Sequence, residues 1–138
     1  MKTLFLALIL ACAATLTGAD MAIPDISHDD LMAAVKEKKA VIIDVNGSDS
    51  YKAGHIPGAH DWQVVKGDLA KHLPADKATL IVAYCGNEKC GAYKKAAEAA
   101  MALGYTNVKH YSKGIAGYKS SGAPLETAAV KTDKPASM

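Results

Sequence analysis

The residues of this sequence that are best suited to covalent chemistry lie together in one short loop. In chain order they are Cys85, Gly86, Asn87, Glu88, Lys89, Cys90 and Gly91. An apolar run at residues 79–84 predicts a buried strand before the loop, and an alanine- and lysine-rich segment at 92–103 predicts a helix after it. A cysteine between a strand and the start of a helix faces unpaired backbone amides and the positive end of the helix dipole. The sequence therefore predicts that Cys85 is held as a thiolate and acts as a nucleophile.

The neighbours of Cys85 favour the same interpretation. Gly86 and Gly91 allow the backbone to curl so that several amides face one point, and Lys89 adds a full positive charge. A buried structural cysteine is the alternative, but the polar residues that follow Cys85 disfavour an apolar setting. Amides and a cation around a sulfur atom suit an anionic substrate.

Short apolar runs and helical stretches alternate along the chain. Helices are predicted after the capping residue Ser27 and at residues 67–73, 92–103 and 114–121, and strands at 23–26, 41–45, 62–65, 79–84 and 107–111. This alternation predicts an α/β domain of three αβα layers, with a central, mostly parallel sheet of about five strands. Because ligands in such sheets bind at the carboxyl ends of strands, the loop that begins with Cys85 is a predicted binding site.

The first 19 residues have the pattern of a signal peptide. Lys2 is followed by an apolar run at residues 4–14, which is too short to span a bilayer, and small residues lead to a cleavage point after Ala19. The sequence thus predicts a periplasmic or otherwise exported protein with a domain at residues 20–126 and a loose tail at 127–138. Cys12 offers a loose match to a lipoprotein motif, although the bulky Leu10 disfavours lipid anchoring.

The composition excludes several classes of function. The 138 residues carry a net charge of only +2 with scattered lysines, so a nucleic-acid partner is not expected. The five histidines show no metal-ligand spacing, and neither a metal nor a cofactor is predicted. All 16 basic residues are lysine. Cysteine-dependent phosphatases and arsenate reductases need an arginine six residues after the cysteine, where this chain has Gly91, so these enzymes are excluded.

Five segments carry a resemblance to a known family. They are Val-Ile-Ile-Asp-Val at 41–45, Gly-His-Ile-Pro-Gly-Ala at 54–59, Ile-Val-Ala-Tyr-Cys at 81–85, Leu-Gly-Tyr-x-Asn-Val at 103–108 and Gly-Ala-Pro-Leu at 122–125. In this order they resemble a single-domain rhodanese of the thiosulfate sulfurtransferase type, here in an exported bacterial form. The resemblance covers nearly the whole predicted domain.

The resemblance implies a two-step sulfur relay without a cofactor. Cys85 would take sulfane sulfur from a small sulfur-containing anion such as thiosulfate or polysulfide and become a persulfide. A thiophilic acceptor such as cyanide or a thiol would then remove that sulfur. The loop from Cys85 to Cys90 corresponds to the family's active loop, whose amides surround the sulfur. Asp44 is interpreted as a supporting residue that holds the loop backbone, and His55 as a structural histidine that bonds to the backbone of its turn.

The chain departs from the family pattern at three positions. Asn46 stands where many members have arginine, Tyr118 replaces a tryptophan, and Cys90 is a second cysteine in the active loop. Cys90 would resolve the persulfide, close a protective disulfide with Cys85, or simply be a small buried residue, and the sequence leaves these open. Two alternative functions also stay open: a thiol–disulfide redox protein that uses both cysteines, and a sulfur-carrying or binding module without turnover.

Overall fold

The structure is a computed structural model and describes residues 22–128. The predicted signal peptide and Cys12 lie outside the described residues, as does most of the predicted tail. The elements follow in the order α1 (His28–Glu37), β1 (Ala40–Asp44), α2 (Ser48–Ala53), β2 (His60–Asp61), α3 (Trp62–Val65), α4 (Leu69–His72), β3 (Leu80–Tyr84), α5 (Tyr93–Ala102), β4 (Val108–Tyr111) and α6 (Gly114–Ser120). No helix within residues 22–128 is long and apolar enough to cross a membrane.

The strands form a parallel sheet in the order β2-β1-β3-β4. Asp44, the last residue of β1, pairs with Tyr84 of β3, which in turn pairs with Tyr111 of β4. The carboxyl ends of the strands therefore meet at one edge of the sheet, and Cys85 lies at this edge because it directly follows the central strand β3. This confirms the predicted α/β fold with a parallel sheet.

Alternate residues of the strands enter two separate cores. Ile43 and Ala83 point to one face, where they pack with the alanines of α5 and with α3 and α4. Ile42 and Val82 point to the other face, where they pack with Leu31 of α1 and with α6. Helices therefore cover both faces of the sheet, as its continuous apolar strands require.

The prediction of about five strands is wrong, since the described residues form four. The stretch at 23–26 contributes only one bridge, between Asp25 and His110, instead of a strand. Residues 62–65, predicted as a strand, form α3 because the Asp61 side chain accepts a hydrogen bond from the Gln63 amide at 2.9 Å and caps a helix there. The strand in this part of the chain is the two residues before it, His60–Asp61.

Candidate active site

The predicted loop lies at the carboxyl edge of the sheet, between β3 and α5. Cys85 is nearly buried, with 4% of its surface exposed, whereas Asn87, Glu88 and Lys89 are exposed. The nucleophile predicted from the sequence thus lies at the base of the loop, and the polar residues form its rim.

The two cysteines of the loop are joined by a disulfide. Their Cα atoms are 6.1 Å apart, within the range that disulfides require. Cys90 is half-buried and is the more exposed of the two. The structure therefore describes the oxidised form of the loop, and reduction is needed before Cys85 can attack a donor.

The start of α6 holds the first half of the loop. The Ile115 amide donates to the Cys85 carbonyl at 2.9 Å, and the Ala116 amide donates to the Gly86 carbonyl at 3.0 Å. In a trans peptide the N–H points opposite to the preceding carbonyl. Because these two carbonyls face α6, the amides of Gly86 and Asn87 point away from α6.

This contact depends on a glycine. Gly114 has φ of 60°, a left-handed conformation that favours glycine. A Cβ at this position would lie 2.6 Å from the Cys85 carbonyl oxygen and within 2.8 Å of backbone atoms of Gly86 and Asn87. The backbone of α6 can therefore approach the loop this closely only without a side chain at position 114.

The second half of the loop is held by its own turn. The Cys90 amide donates to the Asn87 carbonyl at 3.1 Å, and the Lys89 amide donates to Asn87 Oδ1 at 2.9 Å. The resemblance implied that the amides of the whole loop surround the sulfur. In this oxidised form the Lys89 amide bonds to the Asn87 side chain, which competes for nearby amides, and the Cys90 amide bonds to the Asn87 backbone carbonyl as part of a turn.

A buried hydrogen-bond network lies beneath the loop at the strand ends. The Tyr84 hydroxyl donates to Asp44 Oδ2 at 2.5 Å and accepts from the Ile56 amide at 3.1 Å. Asp44 Oδ1 accepts from both the backbone amide and the side-chain amide of Asn46, each at 2.8 Å. Burial, reinforced by the neighbouring Asp44 carboxylate, raises the pKa of Tyr84, which keeps the hydroxyl protonated as the donor.

Asn46 connects this network to the active loop. A Cβ added to Gly86 would lie 3.4 Å from Asn46 Oδ1, so the Asn46 side chain lies beside the loop at Gly86. Asp44, itself 1% exposed, fixes the orientation of Asn46 through two hydrogen bonds. Asp44 therefore orients the side chain that lies next to Gly86 of the loop.

His55 contacts the backbone of its own turn and the C-terminal segment at Glu126. Its Nδ1 donates to the Tyr51 carbonyl at 2.7 Å, and its ring stacks on Tyr51 with centroids 3.6 Å apart. Its backbone forms a two-hydrogen-bond bridge with Glu126, whose carboxylate also accepts from the Gly58 amide. These contacts hold the Gly-His-Ile-Pro-Gly-Ala block in place and do not involve the cysteine loop.

An open groove of about 450 Å³ borders the rim of the loop. It is lined by Glu88 and Lys89 of the loop and by Lys113, Ala116 and Gly117 of α6 and its start. Lys113 and Gly114 were not predicted as site residues, because only the fold brings α6 to the loop. No group of three potential metal ligands forms among residues 22–128.

Comparisons with known proteins agree with this geometry. The family model described as a rhodanese-like domain matches residues 27–121. The chain is similar to the thiosulfate sulfurtransferase GlpE of Pseudomonas entomophila (strain L48), with 32% identity over 96 residues, which are 69% of this chain and 84% of that protein.

Solved structures share the fold. The polysulfide-sulfur transferase homodimer of Wolinella succinogenes superposes with a TM-score of 0.60 and 18% identity over 81% of this chain and 84% of that one. The 3-mercaptopyruvate sulfotransferase SseA of Escherichia coli superposes with a TM-score of 0.64 and 18% identity over 79% of this chain and 52% of that one. The match of the family model, the identity to GlpE and the placement of the cysteine loop lead to one conclusion: this chain belongs to the rhodanese-like domain family.

Proposed function

We propose that this protein is a sulfurtransferase in which reduced Cys85 carries sulfur as a persulfide. The Cys85 thiolate attacks the outer sulfur of a donor such as thiosulfate, and sulfite leaves with the electron pair of the broken S–S bond. With polysulfide as donor, a shorter polysulfide leaves in the same way. A thiophilic acceptor such as cyanide or a thiol then attacks the outer sulfur of the persulfide and restores the thiolate.

The observation that carries this proposal is the way α6 orients the loop backbone. Because Ile115 and Ala116 hold the carbonyls of Cys85 and Gly86, the next two amides are turned away from α6 before any substrate binds. Fixed amide dipoles stabilise negative charge without reorganising during the reaction. In the reduced loop they are available to the thiolate and to the persulfide anion.

The charges beside the loop support an anionic donor. Lys89 and Lys113 line the groove at the rim, with the carboxylate of Glu88 as a third charged group. The chain has no arginine, so a donor oxyanion would meet ammonium groups and backbone amides and no bidentate guanidinium. This arrangement favours small dianions or polysulfide over substrates that need a planar, two-point grip.

The test is thiocyanate formation from cyanide with thiosulfate or polysulfide as donor. The full-length Cys90→Ser variant, reduced and freed of reductant, is used so that the Cys85–Cys90 disulfide cannot form. We expect catalytic thiocyanate formation with at least one donor, and none above the uncatalysed rate when Cys85→Ser is added to the same chain. Equal rates for the two chains would contradict the proposal.

The disulfide favours a second candidate, thiol–disulfide exchange without sulfur transfer. That function needs both cysteines, whereas sulfur transfer needs only Cys85. The Cys90→Ser chain therefore separates the two: thiocyanate formation without Cys90 supports the transferase and contradicts pure dithiol exchange.

A further inference from the structure

We propose that Cys90 is a resolving nucleophile, so that the protein reduces sulfane sulfur and releases it as sulfide. In this reaction Cys90 attacks the inner sulfur of the Cys85 persulfide. The inference rests on the proposed function, because it needs the persulfide as its starting point. It adds a product, hydrogen sulfide, and a second reacting residue.

The oxidised structure is the product of this step. The Cys85–Cys90 bond forms while the loop retains both of its supports, the α6 amides on Cys85 and Gly86 and the turn at Asn87. The Asn87 carbonyl holds the Cys90 amide, which fixes the backbone that presents the Cys90 sulfur to Cys85. Closing the bond therefore fits the folded loop, and Asn87 is a positioning residue for it.

The chemistry balances with the groups that the chain supplies. The Cys90 thiol transfers its proton to the outer sulfur of the persulfide anion, and the resulting Cys90 thiolate forms a bond to Cys85 Sγ. The bond between Cys85 Sγ and the outer sulfur breaks, and that outer sulfur leaves as hydrosulfide with the electron pair. The sulfane sulfur is reduced to sulfide and the two thiols are oxidised to a disulfide. Starting from thiosulfate, the net products are sulfite, hydrogen sulfide and the Cys85–Cys90 disulfide.

Unequal exposure of the two cysteine residues favours recovery of the active thiolate. An external thiol or dithiol is the co-reactant that supplies the two electrons for the next cycle. Because Cys90 is half-buried and Cys85 is only 4% exposed, that reductant reaches the Cys90 sulfur first. The leaving group is then Cys85, whose thiolate the oriented amides stabilise, and stabilised thiolates leave faster.

Cys90 also competes with external acceptors. A nucleophile fixed beside its target can act with an effective concentration far above the millimolar range of free thiols. Resolution by Cys90 would therefore precede transfer to a dilute acceptor. Its removal should lengthen the life of the persulfide and increase the sulfur that reaches cyanide.

The experiment is a single turnover of the full-length chain, with Cys12→Ser in every variant so that no third thiol takes part. Reduced protein receives one equivalent of polysulfide or thiosulfate, whichever loads Cys90→Ser. Sulfide is trapped and quantified, and peptide mass spectrometry locates added sulfur or the disulfide. For the chain with Cys90 we expect close to one sulfide per chain and a Cys85–Cys90 disulfide, at a rate independent of protein concentration. For Cys90→Ser we expect sulfur retained on Cys85 and no sulfide until thiol is added.

The possible results distinguish a failure of the resolving role of Cys90 from a failure of the proposed sulfurtransferase function. If the chain with Cys90 keeps its persulfide as long as Cys90→Ser and releases no sulfide, the resolving role is wrong although the transferase stands. A release rate that rises with protein concentration also overturns it, because resolution would then be intermolecular. If Cys90→Ser takes up no sulfur from either donor, while Cys90→Ala likewise takes up none and both are folded, the proposed function itself fails.

Discussion

Replacing Gly114 with alanine tests how α6 holds the active loop. Two costs combine at this position. A left-handed backbone costs alanine about 1 kcal/mol relative to glycine. The added Cβ also meets three backbone atoms of the loop at 2.6–2.8 Å. Overpacking of this kind costs roughly 1–3 kcal/mol because neither backbone can give way easily. We therefore expect Gly114→Ala to lower the free energy of unfolding by about 2–4 kcal/mol.

Gly122 provides a matched control for the conformational cost. It has φ of 76°, and a Cβ there would meet nothing within 4 Å. Gly122→Ala should therefore lower the free energy of unfolding by only about 1 kcal/mol and leave the active loop unchanged. The difference between the two variants isolates the close approach between α6 and the loop.

The assays are denaturant unfolding and the rate of sulfur uptake by Cys85, both in the Cys90→Ser chain. Displacement of the loop should slow uptake roughly tenfold or more in Gly114→Ala, because reacting groups lose orientation with small shifts. Gly122→Ala should take up sulfur at the unaltered rate. If the two variants match in both stability and uptake, the inferred support of the loop by α6 is wrong.

Other predictions concern the buried tyrosines. The Tyr118 hydroxyl is buried without a hydrogen-bond partner among the described residues. Tyr118→Phe should therefore raise the free energy of unfolding by about 1 kcal/mol in urea titrations, and a loss of stability would contradict this. Tyr84→Phe removes the hydroxyl that donates to buried Asp44 and accepts from Ile56. Tyr84→Phe should lower the free energy of unfolding by about 2–3 kcal/mol, and an unchanged value would show that the network contributes little to stability. Burial raises the pKa of Tyr84 and Tyr118 in the folded state, so the unfolded chain loses these protons first. The stabilisation that these two tyrosines contribute should be complete below about pH 10 and should be lost as the pH rises above it. Urea titrations in which the free energy of unfolding does not decline between about pH 9 and pH 11 would argue against this linkage.

The central strand and its cysteine were predictable because their signals are local. The short β-branched apolar run that becomes Leu80–Tyr84 and the longer alanine-rich segment that becomes Tyr93–Ala102 differ clearly in length and composition, and a cysteine between such a strand and helix is expected at the sheet edge. The family resemblance added the chemistry that this position supports.

Errors occurred where one side chain decides the local structure. Val64 and Val65 favour a strand by propensity, but the Asp61 side chain caps a helix at Trp62. The start of the described chain is similar, since Asp25 forms one bridge and its carboxylate then bonds to Ser112. The Asp61 cap is a local contact that strand propensity outweighs in the sequence pattern, whereas the Asp25–Ser112 contact depends on a partner distant in sequence, and neither leaves a periodic pattern.

The supports of the loop could not be predicted for the same reason. Gly114 lies nearly thirty residues after Cys85, and nothing in its local sequence shows that its Cα faces the loop. Asp44 was expected to cap or hold loop backbone, and its carboxylate accepts from both the backbone amide and the side-chain amide of Asn46, a residue whose position beside Gly86 the sequence did not reveal. In both cases the sequence indicated the edge of the sheet, and the contacts followed from packing.

The most direct test of the central claim uses a chain in which Cys85 is the sole cysteine. The sequence has three cysteines, so Cys12→Ser with Cys90→Ser leaves only Cys85. After reduction, this chain is incubated with thiosulfate labelled in its outer sulfur, and with labelled polysulfide. We expect one labelled sulfur on the peptide that contains Cys85, recovered as labelled thiocyanate when cyanide is added. A folded chain whose Cys85 stays unlabelled with both donors would contradict it.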